Sequence, residues 1–360
     1  MPAIITYSLS SSKITPMFKS QYRKKFVFLI ILGSFIFSML ISCSGKQSGP
    51  EATPESIPTS TIAPTLAPAR AILAAPPEDS PNELADAQAL LAELAAVSGL
   101  EFEIREEIFA NEITPDVKII IFLEQPNNLG SLAANAPETQ FVAISGQEWS
   151  PPANGTIIFK DETHVAFLSG YLSALLAPNF RTGALLTSED TVFNQAFLNG
   201  VSYYCGLCAS VVYPLNTYPS ISQQPATSPP ANWQAAFNEI NVNKVNVLFL
   251  PGEAASVELG TFLSGIDVAV IGDQTPPEEL RSHWVATISS DGLAVLREIW
   301  DDLLNGQGGK VLNANLKITD INYISLNDGL VWLSQGKMDL LSKVIALLRE
   351  GQIYTGSVIQ

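Results

Sequence analysis

From Arg70 onward the chain alternates short apolar runs with segments in which apolar residues recur every three or four positions. The runs have strand length and the periodic segments have helix length. Strands are predicted at Arg70–Ala75, Leu100–Ile104, Ile119–Leu123, Gln140–Ser145, Thr156–Phe159, Gly183–Leu186, Ala209–Tyr213, Val245–Leu250, Val268–Ile271, Val285–Ile288, Lys310–Ile318 and Tyr323–Leu326. Helices are predicted at Asn127–Asn135, Thr163–Ala177, Ser188 to about Asn199, Trp233–Ile240, Ala254–Leu263, Asp291–Leu304 and Lys337–Arg349, besides one opening at Ser80. There Ser80-Pro81-Asn82-Glu83 supplies a cap, a proline at the first helical position and a glutamate at the third. Leu84, Ala87, Leu91 and Leu94 follow at helical spacing, and Gly99 is a stop. Pro214–Asn232 is dense in Pro and Ser and reads as a polar loop. Ile119–Leu123 is apolar without alternation, as a strand buried on both faces requires.

Repeated strand–helix–strand units need parallel strands, because each crossover returns the chain to the same edge. A series this long predicts an α/β protein of two doubly wound parallel-sheet lobes. An eight-stranded (β/α) barrel is the alternative. The long polar loop and the final pair of strands argue against it.

The first seventy residues have a different pattern. Arg23-Lys24-Lys25 precedes an uncharged apolar run, Phe26–Ser42, the layout of a secretory leader. Residues 1–16 add nothing that a leader needs, so Met1 and Met17 both stand as starts. The run ends in Leu40-Ile41-Ser42-Cys43, which resembles the lipobox of bacterial lipoproteins. That resemblance implies cleavage before Cys43, its diacylation, and a protein anchored to the outer face of the cell membrane. The competing reading is an uncleaved anchor, for which seventeen residues is near the short limit of a span. Ser44–Ala69, rich in Pro, Thr and Ser, reads as a solvated tether.

Composition narrows the function classes. Nineteen basic and thirty-five acidic residues give −16, and removal of the leader with its five basic residues leaves −21. Such a charge argues against nucleic acid or anionic lipid held on a basic face. A hydrophobic content of 47% excludes a disordered solvating chain. Three cysteines exclude a disulfide framework. Cys205-Gly206-Leu207-Cys208 has redox-motif spacing but follows a helix rather than opening one. A local disulfide and two reduced thiols both fit it. His164 and His283 lack the neighbours a metal site needs, so no metal and no cofactor is expected. No nucleophile elbow, P-loop or dinucleotide-binding glycine pattern occurs, so no catalytic residue is expected and an enzyme is disfavoured.

Two segments and the tail resemble one family. Asp116–Gly146 (DVKIIIFLEQPNNLGSLAANAPETQFVAISG) and Glu162–Gly200 (ETHVAFLSGYLSALLAPNFRTGALLTSEDTVFNQAFLNG) are similar to segments of the basic membrane protein, or Med, family of ABC-transporter substrate-binding lipoproteins. Asp328-Gly329 and the stretch from Leu347 to Ile353 resemble its ending. The resemblance implies a type I periplasmic-binding fold with lobes joined by three crossovers, an ABC permease and ATPase as partners, and a purine-nucleoside-like ligand. It places the leader at 1–42, the tether at 43–69, one lobe at 70–158 with 289–312, and the other at 159–288 with 313–360. Three departures stand against the nucleoside. Pro76-Pro77-Glu78-Asp79-Ser80 lacks the family's Phe and Asn. Ile271 stands where an acid is expected before Gly272-Asp273-Gln274. Thr287-Ile288-Ser289-Ser290 lacks a lysine.

Ligands of open α/β sheets bind beyond the carboxyl ends of the strands. That rule selects Pro76–Ser80, Glu124–Asn128, Ser145–Trp149, Thr187–Phe193, Pro251–Glu253, Gly272–Thr275 and Ser289–Asp291. Candidate ligand-binding residues are Phe193, Asp273, Gln274, Glu124, Trp149 and Asp291. A ring would stack on Phe193 or Trp149, and hydroxyls would meet carboxylates. Each has a structural alternative: Phe193 as the apolar face of its helix, Trp149 as a hinge plug, Glu124 as a solvated acid, and Asp273 and Asp291 as helix caps. The function expected is extracytoplasmic capture of a small polar ligand for an ABC importer. A tethered sensor or interaction protein of the same fold is the alternative.

Overall fold

The computed structural model describes residues 67–76, 81–147, 150–209, 213–215, 217–321 and 332–356. The first lobe opens with β1 (Arg70–Ala74), α1 (Pro81–Ser98), β2 (Glu101–Arg105), β3 (Val117–Phe122), α2 (Leu129–Asn135), β4 (Gln140–Ser145) and β5 (Gly155–Phe159). The chain then builds the second lobe from α3 (Glu162–Leu176), β6 (Thr182–Thr187), α4 (Thr191–Cys205), β7 (Ser220–Gln224), α5 (Pro230–Asn241), β8 (Val247–Leu250), α6 (Val257–Ser264), β9 (Ala269–Gly272) and β10 (Trp284–Asp291). It returns for α7 (Gly292–Leu304) and β11 (Val311–Asn313), then crosses again to β12 (Asn315–Thr319) and α8 (Gln335–Arg349).

Each lobe holds a six-stranded sheet, ordered β11-β5-β4-β3-β1-β2 in the first and β12-β10-β9-β8-β6-β7 in the second. All described pairings are parallel except β10 with β12. Successive strand residues serve opposite faces. Ile119 and Ile121 join one apolar cluster and Ile120 the other. Val247 and Phe249 likewise face one cluster while Leu248 and Leu250 face its counterpart. Burial on both faces is why these strands read as unbroken apolar runs.

Three crossings join the lobes. After β5, the Lys160 N–H donates to the Ser145 carbonyl (2.8 Å) and Asp161 caps α3 by accepting from the Thr163 N–H (2.9 Å). After β10, Asp291 caps α7 (Ala294 N–H, 2.9 Å), and Gly292 lies so close to Ile144 that a Cβ there would overlap it. At the third, the Ala314 N–H donates to the Phe159 carbonyl (2.8 Å) between β11 and β12. Helix α7 is tied back to α1 by Trp300 donating to Ser98 (2.8 Å) and by Arg297 gripping both oxygens of Glu93.

Four local expectations need correction. Asp190, not Ser188, caps α4, accepting from the Phe193 N–H at 2.8 Å. The stretch Ala209–Tyr213 supplies no strand at its two described ends, Ala209 and Tyr213. The outer partner of β6 is β7, which lies inside the predicted polar loop, and α5 also begins within that loop. The strand expected over Lys310–Ile318 breaks at Ala314 into two short strands of different sheets. Tyr323–Leu326 and Asp328-Gly329 lie outside the described residues.

Candidate functional site

Between the lobes, at the carboxyl ends of the second sheet, lies a cavity of about 690 Å³. The ends of β6, β8, β9 and β10 bring Thr187, then Pro251 and Glu253, then Asp273, Gln274 and Thr275, then Ser289, Ser290 and Asp291 to its wall. The heads of α3 and α4 add Glu162, Val165, Asp190 and Phe193. The first lobe contributes Glu83 and Asp86 from α1 and Leu293 from α7. Lys160 and Lys317, beside two of the crossings, complete the charged lining. Topology dictates this placement. In the second sheet the strand order reverses between β6 and β8, and the loops leaving such a reversal diverge to leave a crevice.

Asp273 sits at the end of β9, where its Oδ1 accepts from the Gly252 N–H at 2.9 Å. It does not cap a helix. Burial, then the nearby Glu253 carboxylate, push its carboxyl up to about 7. Glu162 is raised as well, by burial first and then by Asp190 and Glu253. Phe193 is half-buried, with its ring 5.9 Å from that of Phe249 and another part open to the cavity. Core packing and exposure to the cleft therefore coexist in that residue. Asp291 likewise both caps α7 and lines the cavity, with the Lys317 ammonium 3.8 Å away. Gln274 is exposed and lies over Gly252, where any Cβ would collide with its amide. Lys160 is hydrogen-bonded to Glu83.

The remaining sequence candidates lie elsewhere. Glu124 lines a second cavity of about 290 Å³, with Ala74, Pro76 and Phe122 at the ends of β1 and β3 and Phe109 from the stretch after β2. Trp149 and Cys43 are outside the described residues. Cys205 and Cys208 form a disulfide just past α4. Glu83, Asp86, Lys160, Glu162, Glu253 and Lys317 are not among the ligand-binding residues that the sequence suggests. Glu253 stands in a loop that the carboxyl-end rule names. Lys317 gave no signal, because the strand break that turns it toward the cleft is not visible in the apolar pattern.

A wall of carboxylates, hydroxyls and one aromatic edge suits reversible capture of a polar molecule offering hydrogen-bond donors. Among the described residues no group of three or more His, Cys, Asp or Glu side chains is arranged to hold a metal ion.

No protein-family model matches the chain, and no curated protein matches it. Solved structures do. An ABC transporter solute-binding protein from Conexibacter woesei is similar over 80% of this chain and 98% of its own, at 15% identity and a TM-score of 0.58. A transcriptional activator of the comK gene from Bacillus halodurans matches 79% of this chain and 99% of its own, at 10% identity and a TM-score of 0.55. An ABC transporter solute-binding protein from Aeropyrum pernix covers 79% and 92%, at 15% identity and a TM-score of 0.50. At these identities the likeness concerns architecture. Two doubly wound lobes, three crossings and these neighbours give the chain the type I periplasmic-binding-protein fold.

Proposed function

We propose that this chain is an extracytoplasmic solute-binding lipoprotein, held at the membrane through Cys43, that captures a small polar solute between its lobes and presents it to an ABC permease and its ATPase. The observation that carries the reading is the 690 Å³ cavity walled by both lobes at the carboxyl ends of the second sheet. A ligand touching both walls has more contacts in a closed state than in an open one, so it shifts the population toward closure. The Cys205–Cys208 disulfide suits an oxidising compartment. Resemblance to the basic membrane protein family favours a nucleoside-like body, its ring on Phe193 and its hydroxyls on the carboxylates. A membrane-tethered sensor is the second reading. A comK activator shares the fold, so architecture alone does not separate sensing from transport.

A thermal-shift screen of the full-length chain against nucleosides, bases, sugars and amino acids tests capture. A ligand at 100 times its Kd adds about 2.7 kcal/mol to folded-state stability. Asp273→Ala and Phe193→Ala should weaken that ligand without unfolding the protein. Wild-type affinity in both variants would remove this site. Failure of Cys43→Ala to release the chain from the membrane fraction would remove the lipid anchor.

A further inference from the structure

The charge of the cleft selects among polar solutes, provided the cavity is the solute site proposed above. Seven carboxylates line it against two ammonium groups. Both ammonium groups are engaged, Lys160 with Glu83 and Lys317 with Asp291. Asp86, Glu162, Asp190, Glu253 and Asp273 form no salt bridge among the described residues, and Lys160 acts on Glu162 only through space. Asp190 and Asp273 each accept one backbone N–H, which satisfies an oxygen but leaves the charge.

An independent signal points the same way. Asn194 stands directly behind the wall, donating to the carbonyl of the cavity residue Thr187 at 2.8 Å. It is 5% exposed, and its Oδ1 accepts from nothing among the described residues. The buried polar atom left without a partner behind this wall is therefore an acceptor. A neutral polyol would satisfy the acceptors and leave the repulsion among the carboxylates, which grows as closure removes water. A metal ion needs converging ligands, and no such group is present among the described residues. The acids are spread around a space large enough for a molecule of many atoms.

We propose that the solute is a small organic cation. Its ammonium groups would be paired by Glu253, Glu162 and Asp273, and its apolar body would lie against Phe193. Charge complementarity holds such a ligand in a way that a neutral ring and hydroxyls do not match. The carboxyl of Asp273 faces Glu253 from the turn after β8, Glu162 from α3 and the Gly252 N–H, with Lys160 acting on Glu162 from the crossing. A cation draws the raised carboxyl of Asp273 into its ionised form, so binding near neutral pH releases a proton.

The test uses calorimetry on the full-length chain in detergent, with spermidine and putrescine as cationic probes and inosine and D-ribose as neutral ones. A cationic probe should bind, and Glu253→Gln should weaken it roughly tenfold without lowering the ligand-free melting temperature. Its affinity should rise by up to roughly tenfold from pH 6 to pH 8, as the binding-competent ionised fraction grows. The heat should depend on buffer ionisation enthalpy in the sense of proton release. Binding of the neutral probes alone would overturn the cationic assignment and leave solute capture standing. Cation binding unchanged in Glu253→Gln would overturn the assignment to this wall. Silence from both probe sets would overturn the organic-cation assignment and leave solute capture to the wider screen above.

Discussion

A carboxyl held among other carboxyls in a half-closed crevice is a proton store. Asp273, pushed up to about 7 by burial and Glu253, binds a proton in the folded chain over a range where the unfolded chain has released it. Between its ordinary value near 4 and that raised value, the folded state carries more protons, so stability falls as pH rises. Asp273→Asn keeps an acceptor for the Gly252 N–H and removes the charge. The variant should be more stable than the parent at pH 8, on the order of 2 kcal/mol, and the two should converge toward pH 4. Urea unfolding at the two pH values measures this, and a variant less stable than the parent at pH 8 would contradict it. Residues of this kind were reachable from sequence because one topological rule names the loops they occupy. Asp273, Gln274, Phe193 and Asp291 all lie in the segments that the rule names, and all line the interlobe cavity. Glu124 obeys the same rule in the other lobe, yet opens onto a separate cavity, because the rule says nothing about which lobe's loops meet. Glu83 and Lys160 meet across 77 positions of chain, and no local pattern announces such a pair.

At the scale of elements, the apolar pattern served best where strands are buried on both faces and poorly at the sheet edge. β7 reads Ser-Ile-Ser-Gln-Gln and has a neighbour on one side only, so it needs little apolar surface and looks like loop. Residues 209–213 are more apolar in sequence, yet 220–224 make the ladder with β6. The closest packing of elements is between α3 and α4. A Cβ on Gly170 would overlap the Phe197 carbonyl, and one on Gly200 would overlap the Phe167 carbonyl. Both glycines are there because two backbones touch. Gly170→Ala must separate helices whose heads carry Glu162, Asp190 and Phe193. A loss of about 2–3 kcal/mol is expected. Gly336→Ala, in open space on α8, is the control and should be neutral or slightly stabilising. Equal melting temperatures for the two variants would show that the α3–α4 contact has slack.

For the whole molecule, the same acids set the balance between open and closed. Glu83 and Asp86 stand on the first lobe, and Glu162, Asp190, Glu253 and Asp273 on the second, around one cavity. Among the described residues three crossings link the lobes, and in the proposed closure the interlobe angle would respond to this like-charge opposition. Lysines at two of the crossings offset part of it, through Lys160 with Glu83 and Lys317 with Asp291. The remainder opposes closure until a ligand, a proton or salt neutralises it. Raising ionic strength from 0.01 M to 0.15 M shortens the screening length from about 30 Å to about 8 Å, comparable with the width of such a crevice. Ligand-free protein should therefore shift toward closed forms as salt rises, and again as pH falls from 8 to 5 through the raised value of Asp273. Spin labels placed by Val97→Cys on the first lobe and Val242→Cys on the second occupy exposed sites and report the interlobe distance. The distance distribution should shift with salt and with acid in the same direction. Adding Asp86→Asn and Glu253→Gln should produce that shift already at low salt and pH 8, with little further response to either variable. A distribution indifferent to salt, pH and both substitutions would mean that the acids do not set the angle between the lobes, and that packing at the crossings alone does.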